Sequence, residues 1–133
     1  VRHLMDCDRR LPFSKYHGLG NDFVIVLVED LVKATPTLTS AASKWEFALN
    51  EVFRPEAVQD ICDRHRGVGA DGVILVGTVP DTVVEAHCRM VILNADGSRP
   101  ELCVNGIRCA ALAYARATEW RWTSSSSSSS SSS

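Results

Sequence analysis

The run FVIVLV at 23–28 is apolar without a break and mostly β-branched, and it is entered through HGLGND at 17–22. Branched side chains lose little freedom on a pleated surface, and six apolar residues in a row leave no polar face, so the run reads as a buried strand. Phe13 to Tyr16 reads as a shorter strand ahead of the glycine turn. The chain is therefore expected to open its folded part with a strand, a tight turn and a second strand.

Further along, Pro55 suits the first position of a helix and Glu56 the positive end of its dipole. Val58, Ile61, Cys62 and His65 recur at helical spacing. Arg64 and Arg66 are expected in the last turn of this helix and Gly67 just beyond it. VILVG at 73–77 predicts a strand, and Val84, Ala86, Cys88, Met90 and Ile92 alternate with Glu85, His87 and Arg89 as in a half-buried strand. Ile107, Ala110, Ala111 and Tyr114 predict a last helix, whose apolar face Leu112 and Ala113 widen until sheet should surround it. The segment 33–53, rich in Thr, Ser and Ala, reads as an inserted loop or weak helix. Residues 1–11 are an irregular extension, 12–122 one folded lobe, and 123–133, with ten serines, a disordered tail.

A chain of 133 residues, 45% hydrophobic, supports one core. A formal net charge of -2 offers no basic stripe for nucleic acid or anionic lipid. No apolar run approaches the ~20 residues of a membrane span, and the first residues lack the continuous apolar segment of a signal peptide. A cytoplasmic protein without nucleic-acid or membrane partners is expected. The five cysteines form no CxxC pair, which argues against both a disulfide framework and a zinc ribbon. Cys7, Cys62, Cys88 and Cys109 are expected to act as small buried hydrophobes.

GVGADG at 67–72 spells the dinucleotide-binding glycine pattern, but a helix precedes it and a strand follows, the reverse of what pyrophosphate binding needs. It reads as a turn. Cys103 is more informative, because Val104, Asn105 and Gly106 lead directly into the last helix. A sulfur at a helix start meets unpaired N–H groups and the positive dipole end, which favour the thiolate. The same amides can hold a carboxylate.

FSKYHGLGNDFVIV, RHRGVGADGVILV and MVILNADGSRPELCVNGIRCAA resemble three successive blocks of the diaminopimelate epimerase family, over Phe13 to about Ala115. The resemblance implies an α+β fold, a curved mixed sheet or barrel wrapped around a central helix, in two similar lobes with one catalytic cysteine each. It implies interconversion of LL- and meso-diaminopimelate by two cysteines, with neither pyridoxal phosphate nor metal as cofactor, and the possibility of a homodimer. Cys103 corresponds to the first catalytic cysteine, Asn21 and Asn94 to substrate-binding asparagines, and Val104 and Asn105 to the pair whose backbone amides grip a carboxylate. Two asparagines in glycine-rich settings are equally suited to turn capping. His17 is expected to be a packing or turn residue, and Arg108 a structural residue or a charge near the site.

Two features depart from the family. Val104 stands where the family carries glycine, and a β-branched residue there is expected to restrict the backbone and crowd the carboxylate. No second cysteine lobe follows Cys109, so a lone front half exposing an apolar cleft face is expected. A substrate-binding or structural remnant without catalysis, and a related racemase or isomerase of another small acid, stand as alternatives.

Overall fold

The computed structural model describes residues 11–32, 37–79 and 88–126, with side chains as far as Thr118. Strands β1 (Ser14–Gly18) and β2 (Asn21–Leu27) form the expected hairpin, and β3 (Gly72–Gly77) and β4 (Arg89–Asn94) complete a sheet in the order β1-β2-β3-β4. The outer pairs are antiparallel and β2 with β3 is parallel, in the register Phe23↔Gly72 to Leu27↔Val76. A parallel pair needs a long crossover. The segment between β2 and β3 supplies one, with α1 (Val28–Val32), α2 (Ala41–Phe47), a π-helical turn at Ala48–Val52, and α3 (Pro55–Cys62). Helix α4 (Val104–Ser126) follows β4.

Alternation sorts the strand side chains into two cores. Val24, Val26, Val73, Leu75 and Leu93 face Trp45, Phe53 and Val58 of the crossover. Phe23, Ile25, Ile74, Val76 and Ile92 face Cys109, Ala110 and Ala113 of α4. The sheet is thus covered on both sides, which is why β2 and β3 carry no polar stripe. Cys62 and Cys109 are buried as expected, Cys88 is half-buried, and Cys7 lies outside the described residues.

The α+β class holds, but among the described residues the sheet is open rather than closed into a barrel. Among the described residues, sheet covers helix α4 on one side only. Its buried stripe is Gly106, Cys109, Ala110 and Ala113, while Ile107 and Leu112 are exposed, so the stripe is rotated from the predicted one. Small residues let the helix approach the sheet closely, and Ile107 and Leu112 are left exposed. The helix also extends through Ser126, where disorder was expected; serine is only a mediocre helix former, not a breaker.

Helix α3 stops at Cys62 instead of near Gly67, and His65 is not on its apolar face. Asp63 takes an extended conformation, and its carboxylate accepts from the backbone N–H of His65 and Arg66 at 2.8 and 2.9 Å. This local turn competes with another helical turn and wins. The predicted 84–92 strand appears as β4, with residues 80–87 outside the described part. It is covered on both faces, since Val91 and Leu93 pack toward the crossover. The 33–53 segment contributes Trp45, which is 1% exposed, and the fully buried Ala48 to the core. Residues 1–10 and 127–133 also lie outside the described part.

Candidate active site

Cys103 ends the loop after β4, and its carbonyl accepts the first bond of α4, from Ile107 N at 3.0 Å. That makes Cys103 the N-cap, with Val104, Asn105 and Gly106 as the first helical residues, whose N–H groups have no partner within the helix. The sulfur is at the helix start, as the spacing predicted, and the residue is half-buried. Gly106 permits this placement. A Cβ on it would lie 2.8 Å from Ile92 Cδ1 and 3.5 Å from the Cys103 sulfur, so the helix start rests directly on the sheet.

The β1–β2 hairpin reaches the same point. Asn21 Nδ2 donates to Cys103 Sγ at 3.9 Å. Asn105 packs on Gly18, where an added Cβ would meet its Cβ at 3.2 Å. The turn between them places Leu19 at φ 54 and Gly20 at φ 84, and Leu19 is 91% exposed. Asn21, Cys103 and Asn105, three of the five predicted site residues, are therefore gathered where a turn meets a helix start.

Asn94 and Val104 differ. The Asn94 amide donates to Ser98 Oγ at 3.0 Å, its N–H donates to Ser98 O at 2.8 Å, and its carbonyl accepts from Gly97 N at 2.8 Å. In this structure it caps its own turn. Val104 is 59% exposed beside Cys103, and its φ is not positive, so a branched residue fits the helix start without backbone strain. The expected backbone restriction is absent. A cleft of about 240 Å³ between β4 and the 99–103 segment is lined by Cys103, Arg99 and Glu101 above Val91 and Ile92. His17 is an exposed strand residue rather than a packing one, and Arg108 is exposed on α4.

Sequence reasoning missed a charged cluster on the other side of the hairpin. Arg64 donates through Nη1 and Nη2 to the two carboxylate oxygens of Asp22, at 3.1 and 2.7 Å, and through Nη2 to Asp71 at 3.1 Å. Lys15 Nζ lies 2.9 Å from Asp22. The Arg64 fork, aided by Lys15, holds the Asp22 carboxyl well below the usual carboxylate range, and Asp22 in turn raises the Arg64 guanidinium. The signal was present in HGLGND and RHRGVGAD, an acid in one glycine turn and a base and an acid in the other, but nothing in the spacing joined them. Burial pushes the thiols of Cys62, Cys88 and Cys109 up, with smaller contributions from Asp22, Glu29 and Cys103 respectively. Those three are accordingly poorer nucleophiles than their residue type suggests.

The sequence profile described as Diaminopimelate epimerase matches residues 13–124. Among individual proteins, the chain is 50% identical over 101 residues to "Diaminopimelate epimerase" of Cyanothece sp., covering 76% of this chain and 29% of that protein. It is 46% identical over 101 residues to the protein of that name in Synechocystis sp., and 43% identical over 101 residues to that in Gloeothece citriformis, with the same shares of 76% and 29%. The chain thus spans under a third of the length of these relatives. The match extends over both glycine turns, the β4 turn and the Cys103 helix start, and the chain belongs to the diaminopimelate epimerase family.

Proposed function

We propose that this chain carries one half of the site of a cofactor-independent epimerase that interconverts LL- and meso-diaminopimelate, in the cytoplasm, for lysine and peptidoglycan precursor synthesis. The observation that supports it most is the half-buried Cys103 sulfur at the N-cap of α4, with the Asn21 amide 3.9 Å away. Inverting a carbon without an electron sink requires a base on one face and an acid on the other, held in place with water excluded. Cys103 serves as one of these proton carriers. The free N–H groups of Val104 and Asn105 take the α-carboxylate, which places the α-hydrogen against the sulfur. Asn21 holds a polar end of the substrate, its amide able both to donate and to accept. Asn94 joins it once its side chain leaves Ser98.

Cys62 and Cys109 lie in the two cores and Cys88 packs against the second, and this reading takes the opposing acid from outside the described residues. The test joins residues 13–118 to the remaining length of the Cyanothece relative and follows solvent deuterium at the substrate α-carbon. Incorporation is expected to fall at least about a hundredfold with Cys103→Ala and to rise with Val104→Gly, which removes the exposed branched side chain next to Cys103. A folded chimera with Val104→Gly that exchanges no deuterium would overturn the proposal.

A further inference from the structure

We propose that Arg64 is a positioning residue for this site: forked on Asp22 and reaching Asp71, it holds the hairpin in the pose that presents Asn21 to Cys103. The inference rests on the reading of Cys103 as the proton carrier. Asn21 and Asp22 are consecutive in β2, so their side chains leave opposite faces of the sheet. Asn21 shares the face of Phe23 and Ile25, toward α4; Asp22 shares that of Val24 and Val26, toward α3.

On that second face Asp22 is held at every polar group. Its carboxylate takes both Arg64 nitrogens and Lys15. Its N–H donates to Asp71 Oδ2 at 3.0 Å, and Asp71 N–H donates back to its carbonyl at 2.9 Å and its Oδ1 at 3.2 Å. This closed set lies where β3 starts beside β2, at Phe23↔Gly72.

Among the described residues, the Cys103 sulfur is the polar partner of the Asn21 side chain. The strand partner of Asn21 is Gly18, across a turn whose Leu19 and Gly20 are exposed. Arg64 makes no contact with Cys103 and acts through Asp22. Its side chain is 54% exposed and that of Asp22 18%, so solvent screens the ion pairs in part. A planar two-point fork instead fixes direction, which a single lysine charge cannot reproduce.

The test uses this chain in isotope-labelled form with Arg64→Ala, Arg64→Lys, Asn21→Ala and the Arg64→Ala/Asn21→Ala pair. It reads the alkylation rate of Cys103 by iodoacetamide, mapped by mass, and the side-chain amide signal of Asn21 by NMR. Asn21→Ala is expected to change the alkylation rate by about twofold or more, the smallest coupling contacting groups ordinarily show. Arg64→Ala should reproduce most of that change and move the Asn21 amide signal to that of an exposed asparagine. The paired variant should add nothing further, and Arg64→Lys should fall between. If Arg64→Ala unfolds the chain, Arg64→Lys carries the test alone. Unchanged alkylation and an unmoved amide signal in a folded Arg64 variant, or effects that multiply independently in the pair, would overturn the inference. Because neither readout needs turnover, a chimera inert toward deuterium would remove the proposed function while leaving the Arg64 result readable.

Discussion

Gly97 turns the chain after β4 at φ +86, and a Cβ there would lie 2.5 Å from Pro55 Cα. Only a residue without a side chain can take the left-handed conformation and also sit against the first turn of α3. Gly97→Ala is expected to cost at least about 2 kcal/mol, one part from backbone strain and one from displacing Pro55. Urea denaturation measures it, and a change below half of that would show that the loop moves aside freely. At the same scale the sequence was clear about Cys103, because a cysteine ahead of a helix has a definable environment. It was silent about Asp22, whose partner Arg64 lies 42 residues away. It also misjudged Val104, since branching restricts a backbone only where the required conformation is unusual, and a helix start is not.

Among the elements, α2 shows how a weak local signal can hide a strong tertiary one. Ser40 caps it, accepting from Ser43 N at 3.1 Å, and Trp45 is 1% exposed with its indole N–H donating to Thr78 O at 2.8 Å. The guanidinium of Arg89 lies 4.6 Å from the centre of its ring. One aromatic residue thereby ties the crossover to the ends of β3 and β4. Trp45→Ala should cost about 3–5 kcal/mol, the range for emptying a large buried aromatic site. A thermal or chemical midpoint close to that of the unaltered chain would mean that 37–53 is only an appendage. Helix α3 and helix α4 were both predicted, but the stop of α3 and the rotation of α4 depend on Asp63 choosing its own turn and on small residues facing the sheet.

For the whole molecule, the Asp22 cluster links stability to pH. The folded carboxyl is held below its unfolded value of about 3.9, so its contribution is complete above that pH and is lost as pH falls toward the depressed folded value. Asp22→Asn should therefore lower the melting temperature at pH 7, with the gap to the unaltered chain closing as pH drops below about 4. A gap that stays constant from neutral to acid pH would show that the cluster does not stabilise through its charge. The acid limb will not vanish entirely, because Asp63 is also lowered by the N–H groups of His65 and Arg66, and Asp96 by Ser98.

By itself the sequence determined the short-range structure: the hairpin around Leu19 and Gly20, the strands at β2 and β3, the start of α3 at Pro55, and a cysteine at the head of a helix. Each depends on residues within a few positions of one another, where periodicity and turn chemistry act directly. Only the tertiary structure decided which face of α4 meets the sheet, that among the described residues the sheet lies open between two cores, and that Asn21, Asn105 and Cys103 converge while Asn94 turns to Ser98. It also decided that Arg64 closes on Asp22 and Asp71. Those outcomes depend on contacts between distant segments, and no local pattern records which of several suitable partners a side chain will reach.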